Sequence, residues 1–295
     1  MEIRNFAILR GSNVSIENNR IVLKSLNTED EDKKYANAEI RTDVKFSNGT
    51  IELKFKFSNA NSGLLFIFNT DDEVGISIGI SKTHDTFLIA EGNQKFNPIN
   101  KASTLKNYEV NREHRLRIEI NGSYAQMYIN NILIVNALVS IKEGPITFRA
   151  SSEGDFEIYD IKVYPIKPKV FTVMQFTSEY NDLYNEVIKP ICEELGFESI
   201  RADEFYTSTP ILQDIIESIQ DSTVIIAEIT PDNPNVFYEI GYSHAIGKPT
   251  ILLCDRKREK LPFDLSSFRT LFYENSISGK NKIEVSLRKY LESAK

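Results

Sequence analysis

Hydrophobic and polar residues alternate along the first half of the chain. In the run 51–57, IELKFKF, every second side chain is apolar, and the run 115–120 repeats the same period. A period of two is typical of a strand with one buried face. Roughly a dozen such short runs, separated by turns rich in Asn and Gly and free of helical periodicity, predict an antiparallel β-sandwich over residues 1–165.

The periodicity changes beyond the sequence PIKPK at 165–169. Two prolines so close together disfavour both a helix and an interior strand, so residues 166–169 are predicted to form a linker. After it, short apolar runs such as 170–173 and 223–229 alternate with segments whose apolar residues recur at helical spacing. This order predicts an α/β domain over residues 170–295, with a flavodoxin-like parallel sheet covered by helices on both faces.

One segment of the α/β domain carries the pattern of a strand, a loop and a helix. The buried-strand run TVIIAEI (223–229) precedes DNPNVFYEIGYSHA (232–245), where Pro234 suits a first helical turn. The loop between them lies at the carboxyl end of a predicted parallel strand, the edge at which open α/β sheets bind ligands. Glu239 falls early in the helix, where the helix dipole favours an ionised carboxylate, so we predict that Glu239 is the catalytic residue.

Composition and charge narrow the class of ligand. The 295 residues are 41% hydrophobic and 26% charged, which is typical of a globular protein with room for two domains. The net charge is −7, and residues 170–295, with 13 basic and 20 acidic side chains, account for all of it. Neither half carries the concentrated basic face that nucleic-acid binding requires, so we expect a small ligand and no nucleic acid.

The sequence indicates no targeting segment and no membrane segment. It contains no apolar run of about eighteen residues, and its first residues lack the apolar core of a secretory signal. Cys192 and Cys254 have no metal-ligand spacing and lie in apolar runs, which favours buried free thiols. We therefore predict a cytoplasmic protein with no bound metal.

The sequence NPNVFYEIGYSHAIGKP at 233–249 resembles the signature of the nucleoside 2-deoxyribosyltransferase-like proteins, which are related to the TIR domains of bacteria. The runs VMQF (173–176), IRADE (200–204) and LPFDL (261–265) are similar to other parts of that family, so the resemblance covers about residues 169–274. It implies chemistry at an N-glycosidic bond, with Glu239 in the place of the family's catalytic glutamate.

The same resemblance implies several substrate-binding residues. Gln175 and Phe176 correspond to positions that line the floor of the family's pocket. Asp203 corresponds to an acid that faces the ligand, although a capping role at a helix or loop explains this residue equally well.

Four further positions complete the predicted site. Asn233 and Asn235 can donate hydrogen bonds to a sugar or a phosphate, or simply form a turn. Tyr238 either stacks on the ligand or packs in the core. Glu228 interrupts an apolar strand, and a buried charge is costly unless it is paired, so Glu228 either faces the ligand crevice or marks an earlier end of the strand.

Three stretches of the first half, GTIELKF (49–55), RIEINGSYAQMYINN (117–131) and DFEIYDIKVYP (155–165), resemble parts of the concanavalin-like and laminin-G-like jelly rolls. Such folds occur in lectins, in accessory modules of glycosidases and in protein-binding modules, so the fold leaves the function open. The resemblance implies a carbohydrate or a protein as the ligand of this domain.

Together the two resemblances imply a TIR-like N-glycosidase that hydrolyses NAD, or a related nucleotide, at the ribosyl bond. NAD is then the substrate, and no cofactor is implied. We expect the sandwich to act as a sensing or oligomerisation module of a homo-oligomer, in a setting of bacterial defence. Two alternatives remain open: nucleoside deoxyribosyl transfer, and binding of a nucleotide signal without turnover.

Overall fold

The computed structural model describes residues 3, 5–17, 19–25, 35–70, 72, 74–92, 97–204 and 211–294. The chain divides into two compact units, the first comprising Met1–Ile120 and Tyr124–Ile166 and the second comprising Asn121–Ser123 and Lys167–Lys295. No helix within the described residues combines the length and the apolar character needed to cross a membrane.

Within its described residues, the first unit consists of two antiparallel β-sheets of seven strands each. Its strands are β1 (Phe6–Ser12), β2 (Val14–Glu17), β3 (Arg20–Leu23), β4 (Ala36–Phe46), β5 (Gly49–Phe57), β6 (Ser62–Phe68), β7 (Ile76–Ser81), β8 (Thr86–Glu91), β9 (Asn97–Ala102), β10 (His114–Asn121), β11 (Tyr124–Ile129), β12 (Ile132–Leu138), β13 (Gly144–Ser152) and β14 (Phe156–Pro165). The sheet orders are β1-β4-β13-β6-β7-β8-β9 and β12-β11-β10-β5-β14-β3-β2. The predicted antiparallel jelly-roll sandwich is confirmed. Strands β1 to β4 include residues near the N-terminus that the sequence pattern alone does not assign to an element.

The core of the sandwich follows from the alternation in the sequence. The four apolar residues of the run 51–57 are each at most 2% exposed, and they join one apolar cluster with residues of both sheets. Gly79 in β7 has a φ of +148°, and a Cβ atom there would lie 2.1 Å from the carbonyl oxygen of Leu64. This position therefore requires glycine, which alone tolerates both the backbone angle and the close approach.

The second unit is built on a five-stranded parallel sheet. Its strands are β15 (Lys169–Val173), β16 (Glu198–Arg201), β17 (Val224–Glu228), β18 (Thr250–Asp255) and β19 (Thr270–Tyr273), and its helices are α1 (Ser178–Leu183), α2 (Lys189–Glu194), α3 (Ile211–Asp221), α4 (Pro234–Ala245) and α5 (Ile277–Ala294). The order β16-β15-β17-β18-β19 is 2-1-3-4-5 when the strands are counted along this unit. The predicted parallel α/β architecture is confirmed at this level. Lys169, which the sequence places in the linker, is the first paired residue of β15.

Strand β17 shows that helices cover the sheet on both faces. Val224 and Ile226 belong to an apolar cluster with residues of α1, α2 and α5, whereas Ile225 and Ala227 belong to a cluster with residues of α3 and α4. Successive side chains of a strand point to opposite faces, so β17 contributes to both clusters.

Candidate functional site

A cavity of about 870 Å³ lies at the carboxyl edge of the parallel sheet. Its lining residues fall within 172–176, 202–203, 211–215 and 233–239, and we call it the edge cavity. These segments are the end of β15, the residues after β16, and the amino-terminal parts of α3 and α4. Parallel sheets bind ligands at this edge, and ligand sites commonly have volumes of about 300–1,000 Å³.

The edge cavity brings together seven of the eight side chains predicted to form the site. The seven are Gln175, Phe176, Asp203, Asn233, Asn235, Tyr238 and Glu239. They belong to stretches that are far apart in the sequence. The topology places those stretches side by side because β15 lies between β16 and β17.

The cavity also has lining residues that the sequence pattern does not single out. Ile211 and Leu212 fit the inward face of a predicted helix, yet they are 74% and 52% exposed. The sequence Thr209-Pro210, followed by apolar residues at helical spacing, predicts the start of this helix, and it lies outside the described residues. Thr172, inside an apolar strand, is 1% exposed and also lines the cavity. Helical or strand periodicity alone does not distinguish such positions from core positions.

Two of the predicted residues sit at the start of α4. The side-chain oxygen of Asn233 accepts a hydrogen bond from the backbone N–H of Asn235 at 3.0 Å, with Pro234 between them in the first turn. Asn233 therefore caps the helix, a role that asparagine commonly takes. Asn233 therefore forms the turn that was one of its two predicted roles, the other being a hydrogen bond to a sugar or a phosphate. Both asparagines line the edge cavity.

Glu239 lines the cavity without a hydrogen-bond or ion-pair partner for its carboxyl group among the described residues. Burial raises the pKa of this group from 4.5 to about 7, because a low-dielectric site disfavours the charged form. This shift is opposite in direction to the one predicted from the helix dipole, which favours the ionised form. Glu239 is the sixth residue of α4, and the effect of the dipole fades beyond the first turn.

Asp203 has a different environment, because it forms a bidentate ion pair with Arg201. The Nε and Nη2 atoms of Arg201 donate to the two carboxylate oxygens at 2.6 Å each. Arg201 is itself 6% exposed, donates to Asn181 Oδ1 at 3.0 Å, and lies 4.3 Å from the ring centroid of Tyr184. Of the two predicted acids in the edge cavity, Asp203 is thus paired with a cation, whereas Glu239 has no such partner among the described residues.

Glu228, the eighth predicted residue, does not line the edge cavity. By strand alternation it shares the face of β17 that carries Ile226, which is the face opposite to α4. Its carboxyl group is fully buried and accepts hydrogen bonds from the Thr230 N–H at 3.1 Å, from the Thr230 hydroxyl, and from the Tyr273 hydroxyl at 3.1 Å. Burial raises its pKa to about 7. The prediction that Glu228 binds the substrate is therefore corrected, because Glu228 is a hydrogen-bonded structural acid.

A second concavity, of about 290 Å³, lies on the outer face of the sandwich sheet that contains β4 and β13. Strand register aligns Arg10 of β1, Glu39 of β4, Arg149 of β13 and Leu65 of β6 in one row across this sheet. The neighbouring row contains Asn37, Ser151 and Gly63. We call the concavity formed over these two rows the sheet cleft.

Charged groups alternate in sign along the first row of the sheet cleft. Arg149 Nε donates to Glu39 Oε2 at 2.9 Å, and the two side chains keep 48% and 21% of their exposure. Lys82, which also lines the cleft, places its Nζ 2.9 Å from the ring centroid of Tyr35, and burial lowers the pKa of its ammonium group. These residues cannot be recognised as a site from the sequence, because they are widely separated along the chain and no local motif marks them.

Comparison with known proteins gives a family for the first unit. Residues 4–163 match the family described as "3-keto-alpha-glucoside-1,2-lyase-like domain". No curated protein matches the chain.

Several solved structures are similar to the sandwich. Carbohydrate-binding module CBM66 from Bacillus subtilis is 13% identical over 54% of this chain and 94% of its own, with a TM-score of 0.42. A laminarinase from Flavobacterium sp. UMI-01 is 19% identical over 52% of this chain and 82% of its own, with a TM-score of 0.39. A Bacillus subtilis protein of unknown function with a galectin-like fold is 11% identical over 55% of this chain and 90% of its own, with a TM-score of 0.41.

The family match corrects the predicted function. It lies within the sandwich, and the family is described by glucoside chemistry, so the predicted hydrolysis of NAD and the two nucleotide alternatives are wrong. The TIR-like resemblance of residues 169–274, and the defence setting inferred from it, receive no support from the match. The family match covers the half that was predicted to be a β-sandwich, and the two sheets described above confirm that part of the prediction.

Proposed function

The chain belongs to the family of 3-keto-alpha-glucoside-1,2-lyase-like domains through residues 4–163, and we propose that its β-sandwich binds a glucoside-type carbohydrate in the sheet cleft. The observation that carries the proposal is the row of Arg10, Glu39 and Arg149 on the outer face of the family domain. This row offers charged donors and acceptors whose spacing is fixed by strand register.

The chemistry of the row suits a sugar. Sugar hydroxyl groups both donate and accept hydrogen bonds, so a site that recognises them needs both kinds of partner at fixed positions. Arg149 supplies a planar fork of donors, and its ion pair with Glu39 at 2.9 Å orients that fork. Leu65 adds apolar surface for the C–H face of a sugar ring.

Calorimetric titration with methyl α-glucopyranoside and with an α-linked glucose disaccharide tests this proposal. Arg149→Met keeps an apolar stem but removes the donor fork, so we expect the affinity to fall by about tenfold or more. Arg115→Met, at an exposed arginine of β10 in the other sheet, is the matched control and should bind like the wild type. Equal affinity of Arg149→Met and the wild type, or no binding of either sugar, would contradict the proposal.

The edge cavity favours a second function, acid–base chemistry at a glycosidic bond. We propose that Glu239 donates a proton to the leaving oxygen as the bond between that oxygen and the anomeric carbon breaks. A water molecule then bonds to the anomeric carbon and releases its proton to solvent, from which Glu239 is reprotonated, and the carboxylate of Asp203 accepts hydrogen bonds from sugar hydroxyl groups. The supporting observation is that one cavity contains a carboxyl group with a pKa of about 7 beside a carboxylate tied to an arginine. The proposed substrate-binding residues are Gln175, Phe176, Asn233, Asn235 and Tyr238.

Release of glucose from α-glucosides at neutral pH tests this second function. Glu239→Gln keeps the shape of the side chain but cannot donate the proton, and we expect the rate to fall by about 10²–10⁴-fold. Glu193→Gln, at an exposed acid of α2, is the matched control and should leave the rate unchanged. No release by the wild type, or undiminished release by a folded Glu239→Gln variant, would contradict the assignment.

Three finer statements also stay proposals. The strand order 2-1-3-4-5 supports a flavodoxin-like fold for the second unit. A cytoplasmic location and a homo-oligomeric active form follow from the sequence analysis alone. Light scattering coupled to size-exclusion chromatography, with and without glucoside, would measure the oligomeric state.

A further inference from the structure

Thr230 connects a buried acid to the loop that leads into α4. We call residues 229–233, between β17 and α4, the α4 loop. The backbone N–H of Thr230 donates a hydrogen bond to Glu228 Oε2 at 3.1 Å, and the Thr230 hydroxyl donates a second one to the same carboxyl group. Glu228 is fully buried, so these bonds attach the α4 loop to the interior of the second unit.

Arg258 binds the carbonyl groups of the same loop. Its Nη1 atom donates to the carbonyl oxygens of Ile229 at 2.5 Å and of Thr230 at 2.8 Å, and its Nη2 atom donates to Asp232 Oδ1 at 2.6 Å. The backbone of Thr230 is therefore bound to an acid through its N–H and to a cation through its carbonyl oxygen. Arginine keeps its charge in proteins, so of these two partners only Glu228 changes charge with pH.

Groups from three other elements surround Glu228. The Tyr273 hydroxyl of β19 donates to Glu228 Oε1 at 3.1 Å. Asp255 of β18 and Tyr180 of α1 interact with the charge of Glu228, and the Asp255 backbone N–H donates to the Thr230 hydroxyl at 2.8 Å. The other titratable or charged side chains of this cluster are Cys254, Lys257, Arg258 and Glu179. Glu228 is thus a member of a hydrogen-bonded network that includes the α4 loop.

The charge of Glu228 changes near neutral pH. Burial, with a smaller repulsion from Asp255, raises the pKa of its carboxyl group to about 7, against the hydrogen bonds from Thr230 and Tyr273, which lower it. An ionised carboxylate accepts at both oxygens, whereas a protonated carboxyl group carries a donor on one of them. Hydrogen bonds to a charged acceptor are also stronger, by about twofold. The bonds that hold Thr230 are therefore stronger when Glu228 is ionised.

We propose that Glu228 is a pH-sensitive latch of the edge cavity, which holds the α4 loop when it is ionised and loosens the loop when it is protonated. The loop ends at Asn233, whose side chain accepts a hydrogen bond from the Asn235 N–H in the first turn of α4. Both asparagines line the edge cavity, so a looser α4 loop means a looser cavity wall. This inference goes beyond the two proposed carbohydrate functions and requires neither of them.

Hydrogen exchange of the full-length chain, measured at intervals between pH 6 and pH 9, tests the latch. The protection factor is the intrinsic exchange rate divided by the observed rate, so it removes the direct effect of pH on exchange. We expect the protection of residues 229–237 to rise by about threefold or more between pH 6 and pH 8, because stronger hydrogen bonds open less often.

Global unfolding cannot produce this rise. Burial disfavours the charge of Glu228 relative to the unfolded chain, so the free energy of global unfolding falls as the pH rises through 7. The latch concerns the hydrogen bonds of the α4 loop within the folded chain, where ionisation acts in the opposite direction. Peptides of β10 in the sandwich serve as the reference and should show no such rise.

Three variants assign the effect to one carboxyl group. Glu228→Gln keeps the size of the side chain but cannot ionise, so the protection of the α4 loop should be the same at every pH. Tyr273→Phe removes a donor that favours the charged form, so the rise should move to higher pH. Glu239→Gln removes an acid of the edge cavity that also has a pKa of about 7, and the rise should persist.

Every outcome supports or overturns the latch. A rise in the wild type and in Glu239→Gln that is absent from Glu228→Gln supports it. Constant or falling protection in the wild type overturns it, as does a rise that persists in Glu228→Gln or disappears in Glu239→Gln. If Glu228→Gln does not fold, a Tyr273→Phe rise at the wild-type pH overturns it. The measurement uses no carbohydrate, so its failure leaves the proposed functions to their own tests.

Discussion

The sheet cleft and the edge cavity present charge to a ligand in opposite ways. In the sheet cleft, Arg149 and Glu39 form a partly exposed ion pair across two strands of a sheet. In the edge cavity, the carboxyl group of Glu239 has no such partner among the described residues, and burial raises its pKa to about 7. Solvent screens the first pair, whereas the missing solvent around Glu239 changes its protonation near neutral pH.

This difference separates recognition from chemistry within one chain. Paired charges that remain in contact with water offer hydrogen bonds in fixed positions, which suits the binding of a sugar. A desolvated carboxyl group with a pKa near the working pH both holds and releases a proton, which suits general acid catalysis. On this view the sandwich selects a carbohydrate, and the α/β unit acts on a glycosidic bond.

The strongest effect that we expect concerns the sheet that supports the cleft. Gly79→Ala places a Cβ atom 2.1 Å from a carbonyl oxygen at a positive φ, so the free energy of unfolding should fall by about 3 kcal/mol or more and glucoside binding should weaken. Gly144→Ala in β13 is the control, because its nearest neighbour would lie 4.0 Å away, and its effect should stay within about 1 kcal/mol. Equal stability of the two variants in urea titrations would mean that the cleft does not depend on this close packing.

Glu228 and Glu239 of the second unit should contribute differently to the free energy of unfolding. Glu228→Ala removes the acceptor of the Thr230 and Tyr273 hydrogen bonds inside the protein, so we expect a loss of about 2 kcal/mol in unfolding free energy. Glu239→Ala removes a carboxyl group without a partner and should change stability by less than about 1 kcal/mol. Denaturant titrations of both variants measure the contrast. A reversed order would place the structural acid at Glu239.

The pH dependence of stability offers a finer comparison. The pKa of Glu239 is about 7 in the folded chain against an ordinary value of 4.5, so folding favours the protonated form. Its contribution to stability is therefore fully present below about pH 4.5 and is lost as the pH rises through 7. Glu228 follows the same direction, so the effect of Glu239 must be measured as a difference between variants.

We expect the fall in melting temperature between pH 5 and pH 8 to be smaller in Glu239→Gln than in the wild type. Glu193→Gln, at an exposed acid, should keep the wild-type fall. Parallel scans at the two pH values, with the same ionic strength, provide the measurement. Identical pH dependence in all three proteins would show that Glu239 is solvated like an ordinary glutamate.

The edge cavity was more accessible to prediction than the sheet cleft, for a physical reason. Four of its seven predicted residues fall in the contiguous segment 232–245, whose strand, loop and helix pattern fixes their place at the sheet edge. The sheet cleft is assembled from Arg10, Glu39 and Arg149, which become neighbours only through the order and register of three strands. Alternation in a sequence predicts that strands exist, but it does not determine which strands pair.

Glu228 and Glu239 show where local pattern fails inside the second unit. Strand β17 is buried on both faces, so its apolar run gives no sign of which face Glu228 occupies. The protonation of Glu239 depends on burial by residues that are distant in sequence, while the helix dipole acts only over the first turn. The protonation of Glu239 and the sheet face on which Glu228 lies therefore depend on tertiary structure and not on the local sequence.

We expect the ion pair between Arg149 and Glu39 to contribute little to the free energy of unfolding. The Arg149 and Glu39 side chains keep much of their exposure, and partly exposed ion pairs typically contribute about 0–1 kcal/mol. Arg149→Met should therefore unfold within about 1 kcal/mol of the wild type while losing affinity for glucoside. A large loss of stability would mean that the variant tests folding and not recognition.

The place where a carbohydrate binds decides between the two views of the sandwich, as a ligand site or as a scaffold. Chemical-shift mapping of backbone amides in the ¹⁵N-labelled, deuterated full-length chain, titrated with methyl α-glucopyranoside, locates that place. We predict saturable shifts at Glu39, Arg149 and their neighbours in β4 and β13, with none in β10 of the other sheet. No saturable shift, or shifts confined to residues outside the sheet cleft, would contradict carbohydrate recognition by this row of side chains.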